Sequence, residues 1–145
     1  ASNAALGSGS FPFRRHREAG VRVALGTDVG GGTGFGMMKE ALQAYLMQRV
    51  SADPFVLAPA DLLYLSTLAG AEALGLSGTI GNFEPGKAAD LVYLAPPSGS
   101  VAAQVLDRSD DPTHKLTALF TLAGQQSIRE VRVDNAIVYQ QPVRA

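Results

Sequence analysis

Apolar and polar positions change rhythm along the chain, and each change predicts an element. Ala1 to Phe13 is rich in Gly, Ser and Ala, ends in Phe11-Pro12-Phe13, and reads as a loop leading into a short helix. Pro12 suits a first helical turn, and Gly20 suits the stop after Arg14 to Ala19. Val21-Arg22-Val23-Ala24-Leu25-Gly26 is β-branched and largely apolar, which predicts a strand of a parallel sheet. Thr27-Asp28 follows, then the cluster Gly30-Gly31-Gly32. Met37 to Val50 holds good helix formers throughout. Met38, Leu42, Tyr45 and Leu46, with Arg49 beyond them, predict one apolar stripe on that helix.

Further along, Ala58-Pro59-Ala60-Asp61 opens a helix, with Leu62, Leu63, Leu65 and Leu68 giving it an apolar surface. Ala71 to Leu74 adds a helical turn or two, ended by Gly75. From Ile80 the rhythm turns to β. Glu84-Pro85-Gly86-Lys87 is a turn with Pro second and Gly third. Asp90 to Leu94 predicts a strand, Pro96 to Ser100 a loop, and Thr113 to Ala123 a helix with Leu116, Leu119, Phe120 and Ala123 at helical spacing. Ile128 to Val133 and Ala136 to Tyr139 flank Asp134-Asn135, a hairpin turn that asks for positive φ.

Helix, strand, Gly-rich loop and helix make an α/β unit. They do not close an α/β domain, because a parallel sheet needs several strands. The missing strands are expected upstream or in a partner chain. Bare sheet edges and helix faces would then favour an oligomer, or association with the missing part.

Composition narrows the partners. The 145 residues are 46% apolar, which suits a globular chain and not a disordered one. A formal charge of −1 with mixed signs argues against nucleic acid or an anionic membrane surface held by bulk electrostatics. No apolar run is long enough to span a bilayer, and no basic-then-apolar leader opens the sequence. The absence of cysteine excludes disulfides and thiolate metal sites and fits a reducing cytoplasm.

Asp28 is the sharpest candidate for chemistry. It lies just past an apolar strand and just before glycines, where α/β folds gather functional groups. A carboxylate there can bind a metal ion or move a proton; it could also cap the following helix or brace the loop. The glycines fail both phosphate-loop patterns: a dinucleotide fingerprint would need Gly at Phe35 or Met37, and a P-loop would need Lys after Gly36. They read more simply as a flexible loop near a cleft. His16 and His114 lack a second ligand-type residue at zinc spacing and are assigned to the surface. No Ser or Thr sits in a nucleophile elbow.

Three stretches carry a resemblance. They are Leu25-Gly26-Thr27-Asp28-Val29-Gly30-Gly31-Gly32-Thr33, Thr67 to Leu76, and Ile80 to Lys87 completed by Ala89-Asp90-Leu91-Val92. With them the chain resembles the guanine deaminase family of the amidohydrolase superfamily, from its first residues to the final hairpin. The Gly-Thr-Asp and Pro-Gly-Lys-x-Ala-Asp elements are shared across the superfamily, and Asp28 to Thr33 points to this family. Ser2-Asn3-Ala4 could be a cloning remnant on residues alone; the resemblance favours native sequence.

The resemblance implies an α/β fold: the C-terminal part of a (β/α)8 barrel, its last strand and following helices, over residues 1–79. Residues 80–145 would then add strands of a small flanking β-sandwich with an intervening helix. It implies that Asp28 ends the eighth strand, ligates a catalytic zinc (or iron) and shuttles protons. The metal would make hydroxide available near neutral pH, and a purine substrate, guanine, would become xanthine and ammonia. The family's histidine ligands lie upstream, so this chain alone is expected to hold no metal and to be inactive. Gly34 and Gly36 depart from the family's loop, and the substrate-binding residues stay unassigned. Two other readings stand beside it: another superfamily hydrolase acting on a different heterocycle or amide, and a non-catalytic binding or structural module reusing the segment.

Overall fold

The computed structural model describes residues 2–142. A single helical turn, α1 (Ser2–Ala5), lies inside the opening segment read above as loop. Then come α2 (Phe13–Glu18), α3 (Met37–Val50), α4 (Pro59–Ser66) and α5 (Leu68–Ala73). The rest is β1 (Leu91–Leu94), α6 (Val101–Asp107), α7 (Pro112–Leu122), β2 (Ile128–Val133) and β3 (Ala136–Gln140).

Local signals account for most boundaries. Pro59 starts α4, and the Asp61 carboxylate accepts the Ala58 amide at 2.9 Å, tying down a donor the helix cannot use. Asp111 caps α7 by accepting from the Thr113 amide at 2.8 Å, with Pro112 in the first turn. Ser100 caps α6 in the same way through the Ala103 amide. That helix falls in a stretch the sequence pattern leaves unassigned.

The helices share one core. Phe13, Ala41, Leu57, Leu62, Leu65, Ala69 and Phe120 form its buried cluster, with α7 packed against α3, α4 and α6. On α3 the outcome differs from the expected stripe. Its buried residues are Glu40, Ala41 and Gln48, while Leu46 stays 47% exposed. Of the expected stripe, Met38 and Tyr45 do pack against the core beside the fully buried Ala41, Leu42 is half-buried, and only Leu46 faces outward.

A second correction concerns the segment before Asp28. Val21 to Gly26 is irregular, with no strand assigned to it among the described residues. A strand exists only when its backbone groups find a ladder. Here Leu25 donates its amide to the Leu65 carbonyl at 2.9 Å, a contact with the end of α4.

The three-stranded sheet is antiparallel in the order β1-β2-β3, with α6 and α7 inserted between β1 and β2. Its hairpin turn is as read: Asp134 has φ 48° and Asn135 φ 64°, the mirror-image turn that matches strand twist. The Asp90 carboxylate accepts the Asp134 amide at 2.7 Å, so this acid of the Pro-Gly-Lys-x-Ala-Asp element braces the hairpin. In the turn before it, Gly86 adopts φ 95° and the Lys87 amide meets the Glu84 carbonyl at 3.2 Å. The Lys87 ammonium lies 2.7 Å from Glu84 and holds that carboxyl below its ordinary range. Val92, Tyr93, Ile137, Val138 and Tyr139 remain exposed on the sheet. No helix among the described residues is long and apolar enough to cross a membrane.

Candidate functional site

The approach to Asp28 is anchored and its end is free. Val23, Ala24 and Leu25 pack on the helical core, whereas Asp28 is exposed. Its φ of 49° is left-handed, a conformation that costs most residues about 1 kcal/mol and that Asp tolerates better than most. The carbonyl of Asp28 accepts two amides, Gly31 at 3.0 Å and Gly32 at 2.5 Å. The chain therefore rolls back on itself directly after the carboxylate.

The glycine loop that follows is held at its far side. The Lys39 ammonium donates to the Thr33 carbonyl at 2.5 Å, and the Gln43 amide nitrogen donates to Thr33 Oγ1 at 2.9 Å. Lys39 and Gln43 lie one turn apart on α3, so the first half of that helix latches the loop. The sequence reading of a merely flexible loop missed this latch. Only the i, i+4 spacing of the two long polar residues, six and ten residues past Thr33, hinted at it.

Behind the segment lies a largely apolar chamber of about 260 Å³. Phe11, Val23, Leu25, Leu57, Leu65 and Gln48 contribute to its wall, as does Gly26, two residues before Asp28. Gln48 is buried and donates to the Phe11 carbonyl at 2.8 Å; its Oε1 has no hydrogen-bond partner among the described residues.

The histidines stand apart from Asp28's loop contacts. His114 is exposed, 3.6 Å from Asp111 at the start of α7. His16 is half-buried, stacks on Phe11 at 4.6 Å between ring centroids, and has Nδ1 2.9 Å from the Pro12 carbonyl. It therefore packs as well as facing water. Beside it, Arg14 bonds to Asp53 at 2.8 Å, and Arg14 and Arg17 both lie over the Phe55 ring. These arginines pin α2 to the loop before α4.

A catalytic zinc takes three or more protein ligands. Asp28 brings one carboxylate, and among the described residues no three His, Cys, Asp or Glu side chains gather as a metal site. The residues described here do not by themselves fit a metal centre. What the arrangement offers is a lone, solvent-reachable carboxylate at the head of a braced loop, able to accept and return a proton.

Residues 1–138 match the model of the amidohydrolase family. The chain belongs to that family. Among amidohydrolase relatives, a probable guanine deaminase of Deinococcus radiodurans is 52% identical over 145 residues, covering 99% of this chain and 33% of the relative. The solved Escherichia coli guanine deaminase superposes with a TM-score of 0.89 at 37% identity, over 97% of this chain and 33% of that one. An adenosine deaminase from Xanthomonas campestris, solved with bound zinc, gives a TM-score of 0.77 at 30% identity, over 94% and 30%. This amidohydrolase chain thus spans about a third of the length of the proteins it matches, and the resemblance to guanine deaminases is borne out by its relatives.

Proposed function

We propose that this chain is the carboxy-terminal part of a guanine deaminase, converting guanine and water to xanthine and ammonia in the longer protein. The observation that carries the reading is the position of Asp28, at the head of a braced glycine loop in a chain 52% identical to a probable guanine deaminase. In this reading residues 1–79 complete a (β/α)8 barrel, and residues 80–145 supply strands of a flanking sandwich. The apolar chamber behind Val23 and Leu25 and the exposed sheet residues would be covered by the remaining two-thirds of the protein, or by a second copy.

Asp28 is the proposed catalytic carboxylate. It takes a proton from the water that adds to the ring carbon bearing the amine, and returns it to that amine as ammonia leaves. It is also proposed as one ligand of a zinc or iron ion whose other ligands lie outside this chain. One carboxylate is too few for that ion, so the chain alone is expected to be inactive. The absence of cysteine from this chain suits a reducing cytoplasm, where the reading places the longer protein.

The test is xanthine formation from guanine by the longer protein, with Asp28→Asn beside it. Asn keeps the shape and tolerates the left-handed backbone but cannot take the proton, so turnover should fall about 100- to 10,000-fold. Unchanged turnover would remove Asp28 from the chemistry. The 30% identity to an adenosine deaminase supports a second reading, deamination of another purine. Ammonia release from adenosine but not guanine would favour it.

A further inference from the structure

The glycines after Asp28 fit no phosphate-binding pattern, so their presence needs another physical reason. At position 32 there is no space for a side chain. A Cβ there would overlap the Thr27 carbonyl oxygen and lie 2.9 Å from the Asp28 carbonyl oxygen. Both are backbone atoms, so no rotamer change relieves the overlap and the turn itself must open. At position 31 a Cβ would come within 3.0 Å of Asp28 Oδ2, so that residue borders the carboxylate. Gly36, in the same loop, faces open space.

We infer that Gly32 and Gly31 are positioning residues for the Asp28 carboxylate. Gly32 lets the Gly31 and Gly32 amides close on the Asp28 carbonyl, which holds the backbone of Asp28 left-handed at φ 49°. Gly31 leaves the volume that the carboxylate occupies. A loop that needs glycine only for flexibility would make no distinction between positions 32 and 36. This inference rests on the reading of Asp28 as the catalytic group.

The test compares Gly32→Ala with Gly36→Ala in the longer protein. Gly32→Ala should lower kcat on guanine about 100-fold with little change in KM, as a misplaced catalytic group does, while Gly36→Ala stays within about threefold. Added to Asp28→Asn, Gly32→Ala should cost less than about threefold more, because the group it positions is already lost. A crystal structure of Gly32→Ala should show Asp28 out of the left-handed region with both amides released. The inference is overturned if that turn persists, if both alanine variants lose kcat equally, or if the full loss recurs in the Asp28→Asn background. Should Gly32→Ala not fold, Gly31→Ala, which meets only the carboxylate, takes its place with the same kinetic expectations. If the unaltered protein makes no xanthine, the functional reading fails separately, and the crystal structure alone decides the positioning.

Discussion

The amide of Leu25 donates to the carbonyl of Leu65 at 2.9 Å, so the segment that delivers Asp28 hangs from the last turn of α4. Leu65 is itself 5% exposed and part of the core cluster. Side chain and backbone of one residue thus join the hydrophobic core to the candidate site. Val23, Ala24 and Leu25 add side-chain packing on the same core, while Asp28 itself is exposed.

Leu65→Ala should therefore be costly. Truncating a buried leucine loses transfer energy and leaves a cavity, together about 3 kcal/mol. Leu74→Ala, at a residue 75% exposed, should stay within about 0.5 kcal/mol. Urea unfolding of both variants checks the contrast, and equal losses would contradict the assignment of the core.

Lys39→Met removes the ammonium that grips the Thr33 carbonyl and keeps the stem of the side chain. Amides of residues 29–36 should then exchange with solvent markedly faster, while overall stability changes by about 1 kcal/mol or less, as for an exposed hydrogen bond. Hydrogen exchange followed by mass spectrometry reads this directly. Unaltered exchange in the loop would mean the latch does not hold it.

Tyr64 provides the pH test. Its hydroxyl donates to Glu72 at 2.6 Å, and this bond, with the negative charge behind it, raises the phenol above its ordinary value of 10.0. A raised folded value means the contribution to stability is complete below the unfolded tyrosine value. It is lost as pH rises through the folded one. Glu72→Gln should bring the Tyr64 transition back toward the ordinary value in an ultraviolet absorbance titration, and should flatten the loss of stability at alkaline pH.

Two glycines should respond with opposite signs. Gly81 has φ 105°, and a Cβ there would meet the Ala71 Cβ at 2.8 Å, so Gly81→Ala should cost more than about 1 kcal/mol. Gly70 lies within α5 facing open space, so Gly70→Ala should gain about 0.5–1 kcal/mol. Thermal unfolding of the pair measures both, and a shared sign would contradict the packing of α5 on residue 81.

The helices and turns were legible because their causes are local. Pro59 marks the start of α4, and the spacing of Leu116, Leu119 and Phe120 marks α7, through groups within a few residues. Asp134-Asn135 and Pro85-Gly86 state their turns through the φ angles those residues tolerate. Asp28 was legible as a candidate for the same reason, standing between an apolar run and glycines. The helix α6 escaped because its one clear signal, Ser100 at the cap, lies at the end of a Pro- and Gly-containing loop.

What the sequence by itself determined, then, is most of the longer helices, the final strands, the turns, the candidate carboxylate and the family it belongs to. Tertiary structure decided how far the stripe of α3 turns inward: Ala41 is fully buried with Met38 and Tyr45 packed beside it, while Leu46 is left exposed. It also decided that Val21 to Gly26 is anchored by Leu65 and not by a neighbouring strand, because a ladder depends on partners distant in the chain. And it decided why position 32 is glycine: the neighbour that excludes a side chain is the carbonyl of Thr27, brought there only by the roll of the loop.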